Sequence, residues 1–121
     1  MVTDAPERRN SPTCGLARIR ELASQEAVIY GGAKVQIDIA NLNYSLHDVC
    51  YCLQTLEQDE FSHAERYGYG PKEIWLDVYF TTMIYTDERG RQFEDELYIK
   101  LKLNRDCIAV VLMSFHPERD S

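Results

Sequence analysis

The chain has 121 residues, 45% of them hydrophobic and 27% charged, which bounds it to one domain with room for a modest core. No segment approaches the roughly 18 consecutive apolar residues of a membrane helix, and the charged start, Met1 to Arg9, has no apolar stretch of the kind a secretory signal needs, so a cytoplasmic protein without membrane contact is expected. The formal net charge of −7 argues against long-range attraction of a nucleic acid.

Residues 1–10 and 117–121 are polar and rich in charge, and are expected to be flexible tails around a single domain at 11–116. Ser11-Pro12 reads as a helix start, with Ser as N-cap and Pro at the first helical position. Leu16, Ile19, Leu22 and Ala23 recur at helical spacing, so this helix is predicted to run to about Gln25. Ala27 to Tyr30 is a short apolar piece closed by Gly31-Gly32. Ala33 to Leu42 is ambiguous, because Val35, Ile37 and Ile39 alternate as in a strand. Ser45-x-x-Asp48 is a capping-box start. Leu46, Val49, Leu53 and Leu56 then form a helical stripe ending before Glu57-Gln58-Asp59-Glu60.

Phe61 to Lys72 is predicted to be a loop, on account of Gly68, Gly70 and Pro71. Three strands come after it: Ile74 to about Tyr85, about Gln92 to Leu103, and Cys107 to Phe115. Asp87-Glu88-Arg89-Gly90 and Asn104-Arg105-Asp106 are the turns between them. Such short connections predict an antiparallel meander. Helices first and a sheet afterwards indicate an α+β domain with helices on one sheet face. Leu97, Ile99, Leu101 and Leu103 should then face the helices, and Tyr98, Lys100 and Lys102 the other side.

Cys14, Cys50, Cys52 and Cys107 match no zinc-ribbon or redox-pair spacing, and Cys50-x-Cys52 puts two thiols on different faces of a helix. In a reducing compartment they are structural cysteines. No metal or cofactor is expected. Nor does the chain contain a phosphate-cradling Gly-rich loop, a Ser-His-Asp order or a nucleophile elbow.

Three motifs occur in order: Ile74-Trp75-Leu76-Asp77-Val78-Tyr79, then Leu97-Tyr98-Ile99-Lys100, then Ser114-Phe115-His116. In that order and spacing the chain resembles the MqsR family of bacterial toxins, with weaker likeness upstream through Cys50 and Phe61. The resemblance implies a RelE-like fold, a helix over Ala33 to Leu42, and a metal-independent ribonuclease that cuts messenger RNA. It also implies a dedicated antitoxin, one that often carries zinc-binding and DNA-binding domains; the zinc would be the antitoxin's. The acidic charge here predicts a basic contact patch on that partner.

The resemblance places Tyr98 at a family active-site tyrosine. It places His63, at or near, and His116 where the family has lysines, and Leu76 where it has a glutamine. Metal-free RNA cleavage needs a base for the ribose 2′-OH, a cation for the charged phosphorane and an acid for the departing 5′-oxygen. Histidine, with a reference pKa near 6.5, suits both proton steps. Lysine needs a large downward shift to act as base. The chain has three histidines, and two fall at or near these positions.

The expected catalytic set is therefore His63, Tyr98 and His116, the histidines sharing acid and base and Tyr98 orienting the phosphate or relaying a proton. Arg66, Lys72, Lys100 and Lys102 are candidates for phosphate contacts. Tyr67 and Tyr69 are candidates for stacking on unpaired bases. Against each stands a plain alternative: solubility for the lysines, packing for the tyrosines. Trp75 and Tyr79 read as packing residues. Two other functions compete: a catalytically inactive RelE-like fold kept as a protein-binding module, which Leu76 and the missing lysines favour, and cleavage that requires the ribosome.

Overall fold

The computed structural model describes residues 7–86 and 88–118. In chain order it contains strand β1 (Arg8–Arg9), helix α1 (Leu16–Ser24), strand β2 (Val28–Tyr30), helices α2 (Ala33–Asn41) and α3 (Leu46–Gln54), and strands β3 (Phe61–Tyr67), β4 (Ile74–Thr86), β5 (Gln92–Leu103) and β6 (Val110–Pro117). The strands form one sheet in the order β1-β3-β4-β5-β6-β2, antiparallel except where β2 runs parallel to β6. The α+β class and the central β4-β5-β6 meander are as the sequence predicts.

Helix periodicity decides the ambiguous segment. Val35 and Ile39, four residues apart, are buried in α2, while Ile37 points outward. Helix α3 carries the expected capping box, with Ser45 Oγ accepting from the Asp48 N–H and the Asp48 carboxylate from the Ser45 N–H. Cys50 and Cys52 lie about 200° apart around α3, yet both are buried in the core. In β5, Leu97, Ile99 and Leu101 are fully buried on the helix side, each contributing about 2 kcal/mol of apolar burial.

The sheet is larger than predicted. Phe61–Tyr67 is a strand rather than a loop: it pairs with β4 from Tyr67↔Ile74 to Phe61↔Tyr79, with a bulge after Phe61. The turn signals hold only for Gly68 to Lys72, between β3 and β4. Gly68 has φ +77° and a side chain there would run into the Lys72 carbonyl, so this turn requires glycine. Arg8–Arg9, within the segment expected to be a flexible tail, pairs with Glu65 and Ala64 at the sheet edge; residues 1–6 lie outside the described residues. At the other end Pro117 belongs to β6 and the Glu118 N–H donates to the Glu96 carbonyl, while 119–121 lie outside.

Helix α1 starts at Leu16, four residues after the predicted Pro12, with Gly15 as an N-cap that offers no side chain. The preceding segment is committed elsewhere. The Thr13 and Cys14 N–H groups donate to the carboxylate of Asp77, which is fully buried in β4. Strand β6 likewise begins at Val110 rather than Cys107. The Asn104 side chain accepts from the Ile108 and Ala109 N–H groups and holds the chain in a turn. Of the predicted 87–90 turn, Asp87 lies outside the described residues.

Candidate active site

Side chains alternate across a strand, so the register assigns one row of polar groups to the sheet face opposite the helices. Across the sheet, His63 of β3 lies beside Val78 of β4, then Lys100 of β5, then Ser114 of β6. Two residues along, Phe80 of β4 lies beside Tyr98 of β5 and then His116 of β6.

The centre of the first group is a residue the sequence reading missed, Glu65, only 5% exposed. Its carboxylate accepts from His63 Nε2 at 2.8 Å and from the Tyr67 hydroxyl, and lies 3.1 Å from Lys100 Nζ. Lys100 Nζ also donates to the Tyr67 hydroxyl at 2.8 Å. Burial alone would raise the carboxyl pKa of Glu65, but these three hydrogen bonds outweigh it and hold the group down at about 2. Burial likewise opposes the Lys100 ammonium, and the bonds to Tyr67 and Glu65 outweigh it, so its pKa sits above the ordinary lysine value. Lys100 is thus locked as a cation and is not a base. The signal for Glu65 was its alternation with His63 and Tyr67, masked by reading the segment as a loop.

His63 is engaged at both ring nitrogens, Nε2 by Glu65 and Nδ1 by the Ser62 hydroxyl at 2.8 Å. A carboxylate only accepts, so Nε2 carries a proton in either ring state. His116 is different. Its Nδ1 donates to the Pro117 carbonyl at 2.8 Å, which leaves Nε2 without a hydrogen-bond partner among the described residues. In the neutral ring that nitrogen holds a lone pair. The ring stacks on Tyr98 with centroids 5.0 Å apart and planes 16° apart. Phe80 meets the other side of Tyr98 edge-on at 5.3 Å, and Lys100 Nζ lies 5.7 Å from the Tyr98 ring.

The fold therefore brings Tyr98, Lys100 and His116 together and ties Tyr67 to them through Lys100. It does not bring His63 to His116: three strand spacings of about 4.8 Å and an offset of two residues along the strands, roughly 16 Å in all, separate their backbones. Lys102 shares the face of Tyr98 and Lys100. Arg66 is on the other face, ion-paired with Glu7 at 2.9 Å and 5.6 Å from the exposed ring of Tyr69. Lys72 is exposed in the short turn Gly70–Lys72. Leu76 is buried opposite Glu65 in the register and supplies no hydrogen bond.

The charge along β5 changes sign at Tyr98. On this face Glu94 and Glu96 lie to one side of it, Lys100 and Lys102 to the other. On this face of β5 two acids are thus separated from two lysines by Tyr98. Among the described residues no helix is long and apolar enough to cross a membrane. Compared with known families, residues 11–117 match the model described as motility quorum-sensing regulator, toxin of MqsA. No curated protein matches the chain.

Proposed function

The chain belongs to the family of motility quorum-sensing regulators, toxins of MqsA, and on that premise we propose that it is an endoribonuclease that cuts single-stranded messenger RNA without a metal ion. Toxin-family membership implies an antitoxin partner. That antitoxin, a zinc-carrying DNA-binding protein in this reading, would silence the activity.

One observation carries the catalytic reading. His116 has Nδ1 fixed to the Pro117 carbonyl and Nε2 without a partner among the described residues, and its ring stacks on Tyr98, whose ring lies 5.7 Å from the locked cation Lys100. With RNA laid across this face, His116 Nε2 takes the proton of the ribose 2′-OH. The 2′-oxygen attacks the adjacent phosphorus, the bond from phosphorus to the 5′-oxygen breaks, and a 2′,3′-cyclic phosphate forms. Lys100 stabilises the charge that builds on the phosphorane, the work a metal ion does in other nucleases. Tyr98 orients the phosphate and donates its hydroxyl proton to the departing 5′-oxygen. His63 acts one step back, as a donor that fixes Glu65 and through it Lys100.

The test is incubation of the purified protein with a long single-stranded RNA in excess EDTA, beside His116→Ala. Cleavage by the wild type alone supports the assignment. Cleavage by both keeps the ribonuclease and removes His116 from its mechanism. Absence of cleavage by either favours ribosome-dependent action or the binding module, and the buried Leu76 speaks for the binding module.

A further inference from the structure

Strands β4 and β5 part company at one end. Their ladder stops at Asp77↔Leu101, although β4 begins at Ile74 and β5 continues to Leu103. At this end the Thr13 and Cys14 N–H groups donate to the Asp77 carboxylate, beside the last pair. Beyond it lies a cavity of about 710 Å³, within the size range of small-ligand sites. Trp75 forms part of one wall, and the two charged residues among those lining it, Lys102 and Arg105, are both cations.

Trp75 is preset there. The Arg9 guanidinium lies 3.9 Å from its ring centre, and its indole N–H donates to Glu73 at 2.7 Å. Arg9 is not among the lining residues, and the ring still contributes to the cavity wall. Asn104 is also oriented: its carbonyl oxygen accepts from two backbone N–H groups, which leaves its amide NH2 to donate. Lys102 both lines the cavity and, two residues along β5, shares the face of Lys100. An aromatic wall, a fixed amide donor and two cations in a chain of net charge −7 are the chemistry of an unpaired base with its phosphate.

We propose that this cavity at the splayed end of β4 and β5 binds one unpaired nucleotide of the RNA. The inference rests on the ribonuclease reading and deepens it by naming a substrate subsite. Trp75 offers its ring to the base, Asn104 donates to the base edge, and Arg105 and Lys102 hold the phosphate.

Trp75 is the single tryptophan of the chain, so its fluorescence reports on this cavity alone. The experiment titrates the whole protein with a single-stranded octanucleotide carrying 2′-O-methyl groups throughout, which lacks the attacking hydroxyl. Binding is followed at once by anisotropy of a label on the oligonucleotide and by Trp75 emission. The expected result is a Trp75 change of at least about a fifth that saturates with the anisotropy. Arg105→Gln should weaken affinity about fivefold or more, with Arg105→Lys restoring most of it, and His116→Ala should keep the Trp75 response. An oligonucleotide that saturates the protein while Trp75 emission stays fixed overturns the subsite, and leaves the ribonuclease standing if RNA is cut. Absence of both binding and cleavage overturns the two together.

Discussion

Lys100 Nζ lies 3.1 Å from the carboxylate of Glu65, across the intervening strand β4, on the sheet face opposite the buried Leu97, Ile99 and Leu101. With the Tyr67 hydroxyl, which bonds to both, and His63, which donates to Glu65, this pair keeps the lysine a cation and makes a buried acid tolerable. Removing either partner strands the other, and breaking such a buried pair costs about 3 kcal/mol or more. Glu65→Gln should therefore lower the denaturation midpoint. It should also depress kcat by about tenfold with little rise in KM, since deleting a negative charge by itself favours RNA binding. A rise in KM alone would remove Glu65 from the support of Lys100.

The same pair sets an acid limit. The folded carboxyl pKa of Glu65 is lowered from 4.5 to about 2. A depressed acid stabilises the fold fully above its unfolded value, and that contribution is lost as pH falls toward the folded one. Stability should thus decline between about pH 4.5 and 2, and Glu65→Gln should flatten this part of the curve. Lys100 acts oppositely: its contribution is whole below 10.5 and is lost only as pH rises beyond that. Unfolding free energies measured against pH in the wild type and in Glu65→Gln check the two signs.

The two histidines should not be equivalent. His116→Ala should reduce cleavage by about 10²-fold, the usual worth of a positioned proton acceptor, without unfolding a partly exposed site. His63→Ala removes one of three hydrogen-bond donors from Glu65 and should cost less activity and more stability. Single-turnover rates beside melting curves separate the two. Equal losses of rate would return His63 to the chemistry.

Asp77→Asn should be strongly destabilising although the shape is unchanged. The carboxylate accepts from Thr13 and Cys14 N–H groups and is fully buried. An amide offers one acceptor, and turns an NH2 toward N–H donors if it is flipped. About 2 kcal/mol is expected, read as a lower urea midpoint at constant slope. By comparison Ser45→Ala, which removes the cap of α3, should cost about 1 kcal/mol, a fall of roughly 4 °C in Tm.

Thiol labelling tests the packing. Cys107 is exposed while Cys14, Cys50 and Cys52 are buried. Burial pushes the Cys14 thiol to about 11 and the Cys52 thiol to about 12, and raises that of Cys50. A thiolate is the reactive form. One thiol should react with an alkylating reagent in the folded protein and four in denaturant.

What the sequence determined by itself is what local periodicity and local capping control. Residues Leu97, Ile99 and Leu101 at period two, Leu46 to Leu53 at helical spacing and Ser45 with Asp48 fix β5, α3 and its start without reference to anything distant. Those signals, with the motif series ending at His116, carried the α+β class and the family. The tertiary structure decided everything that depends on partners far along the chain. Thr13 forgoes the helix because Asp77, 64 residues away, takes its N–H group. His63 to Tyr67 is a strand because β4 pairs with it, and only that pairing turns Glu65 from one more acid in an acidic chain into the anchor of Lys100. The physical reason is that a buried carboxylate survives where its donors converge. That convergence is set by strand register, which no single segment of the sequence contains.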